Sequence, residues 1–271
     1  MGLLTVDIGN TTIALGLFKN QRLLKVWRIE TVFNCRRLRS RLYSLARQIQ
    51  KRGPALEGIV ICSVVPQLSG AVAEGLSKFF KVNVFLIGRD IKVPLINRYR
   101  NPRHVGQDRL VGGFAASKLY GTPARRLNRM AGGPLIVIDF GTAITFDVVS
   151  RKKEYLGGII IPGIRLTAES LWKKTALLPK VRIKAPKELI GRDTKESILS
   201  GIFYGYGALC DGLIDRIARG FPSKPKIILT GGYSRIMRKF IDQKIHCVDE
   251  NLIFKGMNLL FKSKKFSLQT P

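Results

Sequence analysis

The chain has 271 residues, and its 47 Lys and Arg against 18 Asp and Glu give a formal net charge of +29. This length fits two domains of roughly 130 residues each, or one large one. No window approaches the roughly 20 uninterrupted apolar residues of a membrane span, and the N-terminus lacks the basic region of a signal peptide. We therefore expect a cytoplasmic protein with no membrane partner.

The charge predicts a surface that attracts polyanions, among them nucleic acid, phosphorylated ligands and anionic membranes. The cations are spread along the chain, with small clusters at 36–41, 98–103, 125–129 and 262–265. No recognised nucleic-acid-binding module accompanies them in the sequence. We interpret the charge as a solvated basic surface, so nucleic acid is not an expected partner.

Cysteine usage indicates a reducing compartment. The cysteines and histidines are Cys35, Cys62, Cys210, Cys247, His104 and His246. Their separations form no zinc-binding pattern and no C-x-x-C pair. We expect free buried thiols.

In the first half, short apolar runs alternate with amphipathic stretches. Strands are predicted at 3–8, 13–18, 22–29, 58–65 and 82–87. The first is nearly all apolar, as is typical of a central strand covered on both faces. Leucines at helical spacing predict a helix that Gly53-Pro54 ends, and Pro66 begins another that reaches Phe80.

The second half repeats this organisation. Strands are predicted at 135–139, 144–149, 155–161 and 227–230, and helices at 165–175 and 195–219. The segment 122–133, rich in Arg, Pro and Gly, is interpreted as a mobile surface loop. We predict two α/β domains, residues 1–117 and 118–271, each with its own glycine turn.

An internal repeat is the most informative feature of the sequence. Residues 4–12, Leu-Thr-Val-Asp-Ile-Gly-Asn-Thr-Thr, match in kind residues 137–145, Val-Ile-Asp-Phe-Gly-Thr-Ala-Ile-Thr. Each segment has an apolar strand, an Asp, a Gly two positions later, small polar residues and a second strand. A single turn of this kind is most often an ordinary β-turn, but two in equivalent halves favour a functional role.

These turns suit nucleotide phosphates. Glycine lets main-chain N–H groups approach a phosphate, and short polar side chains add further donors: Asn10, Thr11, Thr12, Thr142 and Thr145. An Asp at the strand end is placed to orient a cation, or a water bound to one. Two such hairpins, one from each domain, would hold a phosphate chain from opposite sides of a cleft. A late pair, Gly231-Gly232, follows a strand and would lie flat against a nucleobase or ribose.

The two turns and the late glycine pair resemble the actin, sugar kinase and Hsp70 superfamily, and the details resemble the type III pantothenate kinases. The motifs that carry this resemblance are Asp7-Ile8-Gly9-Asn10-Thr11, Tyr99-Arg100-Asn101-Pro102, Val105-Gly106-Gln107-Asp108-Arg109, Ile138-Asp139-Phe140-Gly141-Thr142-Ala143, Gly157-Gly158-Ile159-Ile160-Ile161-Pro162-Gly163, Leu178-Pro179, Gly191-Arg192-Asp193-Thr194 and Ser200-Gly201-Ile202. These short motifs follow one another in the expected order along nearly the whole chain. The Asp-x-Gly-Asn-Thr element is typical of the superfamily, whereas Gly-x-Asp-Arg and Gly-Gly-x-x-x-Pro-Gly are typical of the family.

The resemblance implies two related ribonuclease H-like, actin-like ATPase domains with a cleft between them. It implies transfer of the γ-phosphoryl group of ATP to pantothenate, giving 4′-phosphopantothenate in the first step of coenzyme A synthesis. It also implies Mg²⁺, a monovalent cation (K⁺ or NH₄⁺) and a homodimer.

The same resemblance implies roles for single residues. Asp108 would be the catalytic base, and Asp139 would bind the monovalent cation. The implied ATP-binding residues are Asp7, Ile8, Gly9, Asn10, Thr11, Thr12, Ile13, Ala14 and Thr142. The implied pantothenate-binding residues are Tyr99, Gly106, Gln107, Asp108, Arg109 and Thr194.

Two features depart from the family pattern. Residues 122–133 lengthen the link between Asp108 and Asp139, and Gln107 stands where a small residue is usual, which would narrow the pocket. Asp108 is also placed to act as the N-cap of a helix over 110–119. Three alternatives stay open: a phosphatase or nucleotide hydrolase, a non-catalytic nucleic-acid-binding regulator, and a filament-forming actin-like protein.

Overall fold

The structure is a computed structural model that describes residues 1–121 and 133–267. The chain forms two compact α/β units. The first comprises Met1–Leu95, Asn101–Ala115 and the C-terminal residues from Leu252, and the second comprises Ile96–Arg100 and Ala116–Asn251. The loop predicted at 122–133 lies, except for Gly133, outside the described residues.

The first unit is built on a five-stranded sheet with the order β3-β2-β1-β4-β5. Its elements are β1 (Gly2–Ile8), β2 (Thr12–Lys19), β3 (Arg22–Glu30), α1 (Cys35–Arg52), β4 (Leu56–Ser63), α2 (Pro66–Phe80), β5 (Val84–Leu86), the start of α3 (Gln107–Leu119) and the C-terminal α7 (Leu252–Ser267). Strands β1, β2 and β3 are antiparallel, whereas β1, β4 and β5 are parallel.

Helices cover both faces of this sheet, which explains the nearly continuous apolar sequence of β1. Leucines and isoleucines of α1 and α2 pack on one face, where Val6, Ile8 and Leu15 are fully or almost fully buried. On the other face, apolar residues of α3 and α7, including Phe254, pack against a cluster that contains Leu3. The first unit therefore has a core on each side of its sheet.

The second unit is built on a six-stranded sheet with the order β11-β10-β7-β8-β9-β6. Its elements are β6 (Ile96–Asn97), β7 (Leu135–Phe140), β8 (Ala143–Val149), β9 (Glu154–Pro162), α4 (Ile164–Lys174), α5 (Thr194–Ala218), β10 (Lys226–Thr230), α6 (Ser234–Met237) and β11 (Cys247–Val248). Short 3₁₀ helices lie at Pro102–His104, in the first unit, and at Arg238–Phe240. The core of the second unit contains Phe146, Phe203 and Ile214 among its buried residues.

The strand orders show the duplication that the repeated sequence predicts. In the first unit an antiparallel trio, β3-β2-β1, continues into the parallel strands β4 and β5. In the second unit the antiparallel trio β9-β8-β7 continues in the same way into β10 and β11, and β6 is added beyond β9. The predicted two-part α/β architecture is confirmed.

The two units are not consecutive pieces of the chain. The predicted boundary after residue 117 falls close to Ala115, where α3 passes from one unit to the other. The C-terminal helix α7 returns to the first unit because Phe254, Met257 and Phe261 complete one of its two cores. Sequence analysis did not predict α7, β6 or β11.

The expectation of free, buried thiols holds for two of the four cysteines, and the side chain of Cys35 is not among those that the structure describes. Cys62 and Cys210 are free and buried, and Cys247 is free and partly buried. Helix α5 is long and apolar enough to cross a membrane by length and composition alone, and the described residues hold no second helix of this kind. A core helix of a soluble protein passes the same test, and one side of α5, including Phe203, lies in the core of the second unit.

Candidate active site

The first glycine turn, residues 9–12, is fixed by main-chain hydrogen bonds. Gly9 N–H donates to Thr12 O at 3.0 Å, and Thr31 N–H donates to Thr11 O at 2.9 Å. The Thr31 hydroxyl donates to Gly9 O at 2.7 Å. Bonds from β2 and from the segment after β3 therefore hold the loop at the end of β1 in one conformation.

The predicted ATP-binding residues of this turn differ in exposure. Ile8 and Ile13 are fully buried and Ala14 nearly so, hence these three can meet a ligand only through their main chain. Asn10 is exposed, whereas Asp7, Gly9, Thr11 and Thr12 are partly buried. The polar part of the loop is the accessible part.

Two carboxylates of the first unit affect the pKa of one buried thiol, that of Cys62. Asp7 on β1 is the register partner of Cys62 on the parallel strand β4. Burial, followed by the charges of Asp7 and Asp108, raises the pKa of the Cys62 thiol. Both carboxylates are therefore within electrostatic reach of one sulfur, and the structure brings the predicted base close to the first turn.

Asp108 lies in the first turn of α3, so it is not the N-cap that the sequence predicted: the helix begins at Gln107. Its Oδ1 accepts the N–H of Arg109 at 2.8 Å. Burial raises the pKa of Asp108, and the backbone N–H and the charge of Arg109 oppose that rise only in part. A carboxylate whose charge is disfavoured in this way is well suited to accept a proton.

Glycine at position 106 leaves room for this carboxylate. A Cβ there would collide with Asp108 Oδ1. No other residue at 106 would fit without moving the carboxylate, because every other side chain begins with that carbon.

Gln107 packs against a neighbouring glycine of the same unit. Gly88 has a φ of 90°, and a Cβ on it would lie 2.9 Å from Gln107 Cδ and 3.2 Å from Nε2. The side chain of Gln107 thus fills space beside bare main chain after β5. This packing gives the large residue a place next to Asp108.

The second turn, residues 141–143, is held by a hydrogen bond from Gly163, the last glycine of the Gly-Gly-x-x-x-Pro-Gly element. Gly141 N–H donates to Ala143 O at 3.1 Å, and Gly163 N–H donates to Thr142 O at 3.1 Å. A Cβ at Gly163 would collide with Thr142 O. The last glycine of the Gly-Gly-x-x-x-Pro-Gly element therefore lies directly against the turn, and the Thr142 side chain is exposed above it.

The late glycine pair lies beside Asp139. Gly231 has a φ of 86°, and a Cβ on it would collide with Asp139 Oδ1 and lie 2.7 Å from the main chain of Phe140. Around Gly232 there is open space for a Cβ. The first glycine of the pair is thus required by the Asp139 carboxylate, and the second is not required by packing.

Tyr99 and Thr194 both belong to the second unit. The ring of Tyr99 lies over Gly157, where a Cβ would be 3.6 Å from Tyr99 Cδ2. The main-chain N–H of Tyr99 donates to Asn97 Oδ1 at 3.0 Å. Thr194 is exposed at the start of α5, after the N-cap Asp193.

Sequence analysis missed a buried polar group behind the second turn. Asp147 on β8 is 3% exposed, and it accepts the Tyr155 hydroxyl at 2.8 Å and the Thr145 hydroxyl at 3.0 Å. Thr145 pairs with Asp139 in the sheet, and Asp147 follows two residues later on the same face. An acidic residue between apolar neighbours inside a predicted strand was the signal available.

Within residues 1–121 and 133–267, no group of three or more His, Cys, Asp or Glu side chains could hold a metal ion. A dedicated Mg²⁺ cage is not needed for nucleotide chemistry, because Mg²⁺ commonly binds through one or two carboxylates together with substrate phosphates. The single carboxylate of Asp7 at the end of β1 fits that mode.

A duplicated α/β fold with a glycine turn at the end of each central strand is the architecture that the resemblance to actin-like ATPases and sugar kinases implies. Residues 3–216 match the family description of type III pantothenate kinase. The curated type III pantothenate kinase of Halalkalibacterium halodurans is 36% identical over 266 residues, which cover 96% of this chain and 98% of that protein. The chain belongs to the type III pantothenate kinase family.

Solved structures agree in fold. A conserved protein of Campylobacter jejuni, classed with Baf family transcriptional activators, has a TM-score of 0.59 at 19% identity. The match covers 97% of this chain and 99% of that protein. The inorganic polyphosphate/ATP-glucomannokinase of Arthrobacter sp. has a TM-score of 0.50 at 15% identity and covers 99% of both chains. At these identities the similarity concerns the fold alone.

Proposed function

We propose that this protein transfers the γ-phosphoryl group of ATP to the hydroxyl of pantothenate, giving 4′-phosphopantothenate and ADP, the first step of coenzyme A synthesis. The observation that carries the proposal is the Asp108 carboxylate, whose pKa is raised by burial and which lies within electrostatic reach of the same thiol as Asp7. Family membership supplies the substrate.

Asp108 acts as the base. Its carboxylate accepts the hydroxyl proton while the pantothenate oxygen bonds to the γ-phosphorus and the bond to the β,γ-bridging oxygen breaks. ADP leaves with that oxygen. Phosphoryl transfer needs chiefly alignment and charge neutralisation, so a fixed carboxylate contributes by orienting the hydroxyl as well as by taking its proton.

The glycine turns bind the nucleotide. Main-chain N–H groups and hydroxyls of residues 7–14, together with Thr142, hold the phosphates. Mg²⁺ bound together with ATP would neutralise phosphate charge. Asp139 holds the monovalent cation, K⁺ or NH₄⁺, since its carboxylate lies at a strand end beside bare glycine main chain.

Pantothenate is recognised by residues on both sides of Asp108 and by two others. Arg109 pairs with the substrate carboxylate, an interaction that favours a guanidinium. Gly106 and Gln107 shape the pocket, and Tyr99 and Thr194 contact the substrate. The protein functions as a cytoplasmic homodimer.

The reaction is tested by product analysis. Purified protein is incubated with MgATP and K⁺, with and without pantothenate, while ADP and 4′-phosphopantothenate are quantified by mass spectrometry. We expect the two products in equal amounts, and only when pantothenate is present. ADP release without pantothenate would instead identify a hydrolase, and the absence of turnover would refute the kinase assignment.

A further inference from the structure

Helix α1 in the first unit concentrates positive charge that the linear sequence only hinted at. It contains no acidic residue. Its exposed cations, which we call the α1 basic face, are Arg36, Arg37, Arg39, Arg41, Arg47 and Lys51. The sequence cluster 36–41 is therefore part of a longer surface.

The packing of α1 directs these cations to solvent. Leu38, Leu42, Leu45 and Ile49 recur at helical spacing and are buried in the core. The opposite side of the helix faces outward, and residues 36, 47 and 51 share it because 11 and 15 residues are close to whole numbers of turns. From residue 36 to residue 51 the face extends about 22 Å at a rise of about 1.5 Å per residue.

Little of this charge is compensated within the part of the chain that the structure describes. Of the six cations, only Arg41 forms an ion pair, at 3.9 Å from Glu30. Glu74 on the neighbouring α2 is already paired with Lys78 at 2.6 Å, and Arg39 contributes least to its lowered pKa. Like charges at helical spacing repel one another, so an external polyanion would relieve that repulsion.

Exposed aromatic rings accompany the cations. Tyr43 is 51% exposed, its ring lies 4.7 Å from the Arg47 guanidinium carbon, and its edge contact with Phe79 of α2 has centroids 5.0 Å apart. Phe33, just before the helix, is 60% exposed. An exposed ring beside an arginine is a surface on which a nucleobase can stack.

These features distinguish between polyanions. An interfacial membrane helix inserts its apolar side into the bilayer, but the apolar side of α1 is in the core of its own unit. A free nucleotide is too short to use a face of this length. Single-stranded nucleic acid has both regularly spaced phosphates and flat bases.

We propose that the α1 basic face binds single-stranded nucleic acid, with Arg36, Arg47 and Lys51 on the phosphates and Tyr43 stacked on a base. This binding is independent of the proposed kinase reaction. The six cations of this face are part of the net charge of +29.

The test measures fluorescence polarisation of a labelled mixed-sequence RNA of about 20 nucleotides, long enough for a site of about 4–16 nucleotides. The full-length protein is titrated between about 50 and 200 mM salt. The triple variant Arg36→Glu/Arg47→Glu/Lys51→Glu is expected to lose at least about tenfold in affinity, and the slope of log affinity against log salt is expected to fall by about 2, from three lost phosphate contacts.

A charge-matched control separates a site from diffuse attraction. The variant Lys152→Glu/Lys173→Glu/Lys244→Glu changes exposed lysines of the second unit by the same total charge. It is expected to bind within about twofold of wild type, because none of these three lysines belongs to the α1 basic face. Equal losses in both triple variants would overturn the proposal.

Tyr43 supplies a readout that charge alone does not move. Tyr43→Ala is expected to weaken RNA binding about tenfold through the lost stacking, while Tyr43→Phe keeps it. ADP formation should stay at the wild-type rate in the α1 triple variant, and its thermal transition should be unchanged. The protein is also sedimented with phosphatidylserine vesicles. If it bound the vesicles but not the RNA, the α1 basic face would be a membrane-binding surface and the proposal would be wrong.

Discussion

The two glycine turns start from one sequence pattern and end in different surroundings. Each joins a central strand to its antiparallel neighbour, β1 to β2 and β7 to β8. The loop of the first unit spans residues 9–12, whereas that of the second spans 141–143, so the first is longer by one residue. The duplication thus preserved the hairpins but not their loops.

The larger difference lies in what the next parallel strand brings to the aspartate. In the first unit β4 places Cys62 beside Asp7, and Asp108 adds a second carboxylate. In the second unit β10 places Thr230 beside Asp139 and continues into Gly231, whose bare main chain contacts the carboxylate. The difference fits the proposed roles, a proton acceptor in the first unit and a cation site at Asp139 in the second.

The largest expected effect is the loss of turnover on substitution of Asp108, which separates the proposed role of Asp108 from that of Asp139. Asp108→Asn is expected to lower kcat by about 10² to 10⁴, the usual contribution of a general base. Its thermal transition should not fall, because burial disfavours the charge that the substitution removes. Asp139→Asn should instead raise the K⁺ concentration needed for half-maximal activity. If Asp108→Asn altered the K⁺ response and kept its turnover, the division of roles would be wrong.

The next effect concerns stability in the second unit. Gly231→Ala is expected to cost about 2 to 5 kcal/mol, since it combines a left-handed backbone with a collision against Asp139. Gly232→Ala is the matched control, because a Cβ there meets open space. Urea unfolding of both variants measures the difference. Equal midpoints would show that Asp139 moves freely away from Gly231.

A smaller effect tests a glycine of the first unit that also lies against a carboxylate. Gly106→Ala displaces the Asp108 carboxylate, and a misplacement of about 1 Å costs about 10²-fold in rate. Gly112→Ala in the same helix α3 has open space and serves as the control, with wild-type kcat and equal or higher stability. Steady-state kinetics of the pair decides, and a wild-type kcat in Gly106→Ala would remove the packing argument.

Local sequence patterns were sufficient for most of the fold. The Pro66–Phe80 helix has the predicted ends because proline begins it and Lys81 ends it in a left-handed conformation. The repeated Asp-x-Gly segments correctly predicted two related α/β units. Short edge strands such as β6 and β11 have only two residues each, too few for a periodic signal.

The site was harder to predict where it depends on distant parts of the chain. No local pattern brings Cys62 beside Asp7, because the parallel register of β1 and β4 does so, and the influence of Asp108 on the pKa of Cys62 also depends on tertiary packing. The packing of Gln107 on Gly88 and of Gly231 on Asp139 likewise joins residues far apart in sequence. Sequence motifs identified the reactive residue types, and only tertiary packing shows why particular glycines accompany them.

The smallest expected effect is a pH dependence that belongs to the first unit. Because the pKa of Asp108 is raised, kcat/KM should fall with decreasing pH at a value above the roughly 3.9 of an unperturbed aspartate. In the same window the contribution of Asp108 to stability has the opposite sign. A carboxyl with a higher pKa in the folded state binds its proton more readily there, so protonation stabilises the fold as pH falls. Activity should therefore decline while circular dichroism stays native, and the Asp108→Asn variant should lack this limb in its residual activity. A limb that persists in the variant would assign the titration to another group, and one that coincides with unfolding would assign it to the fold as a whole.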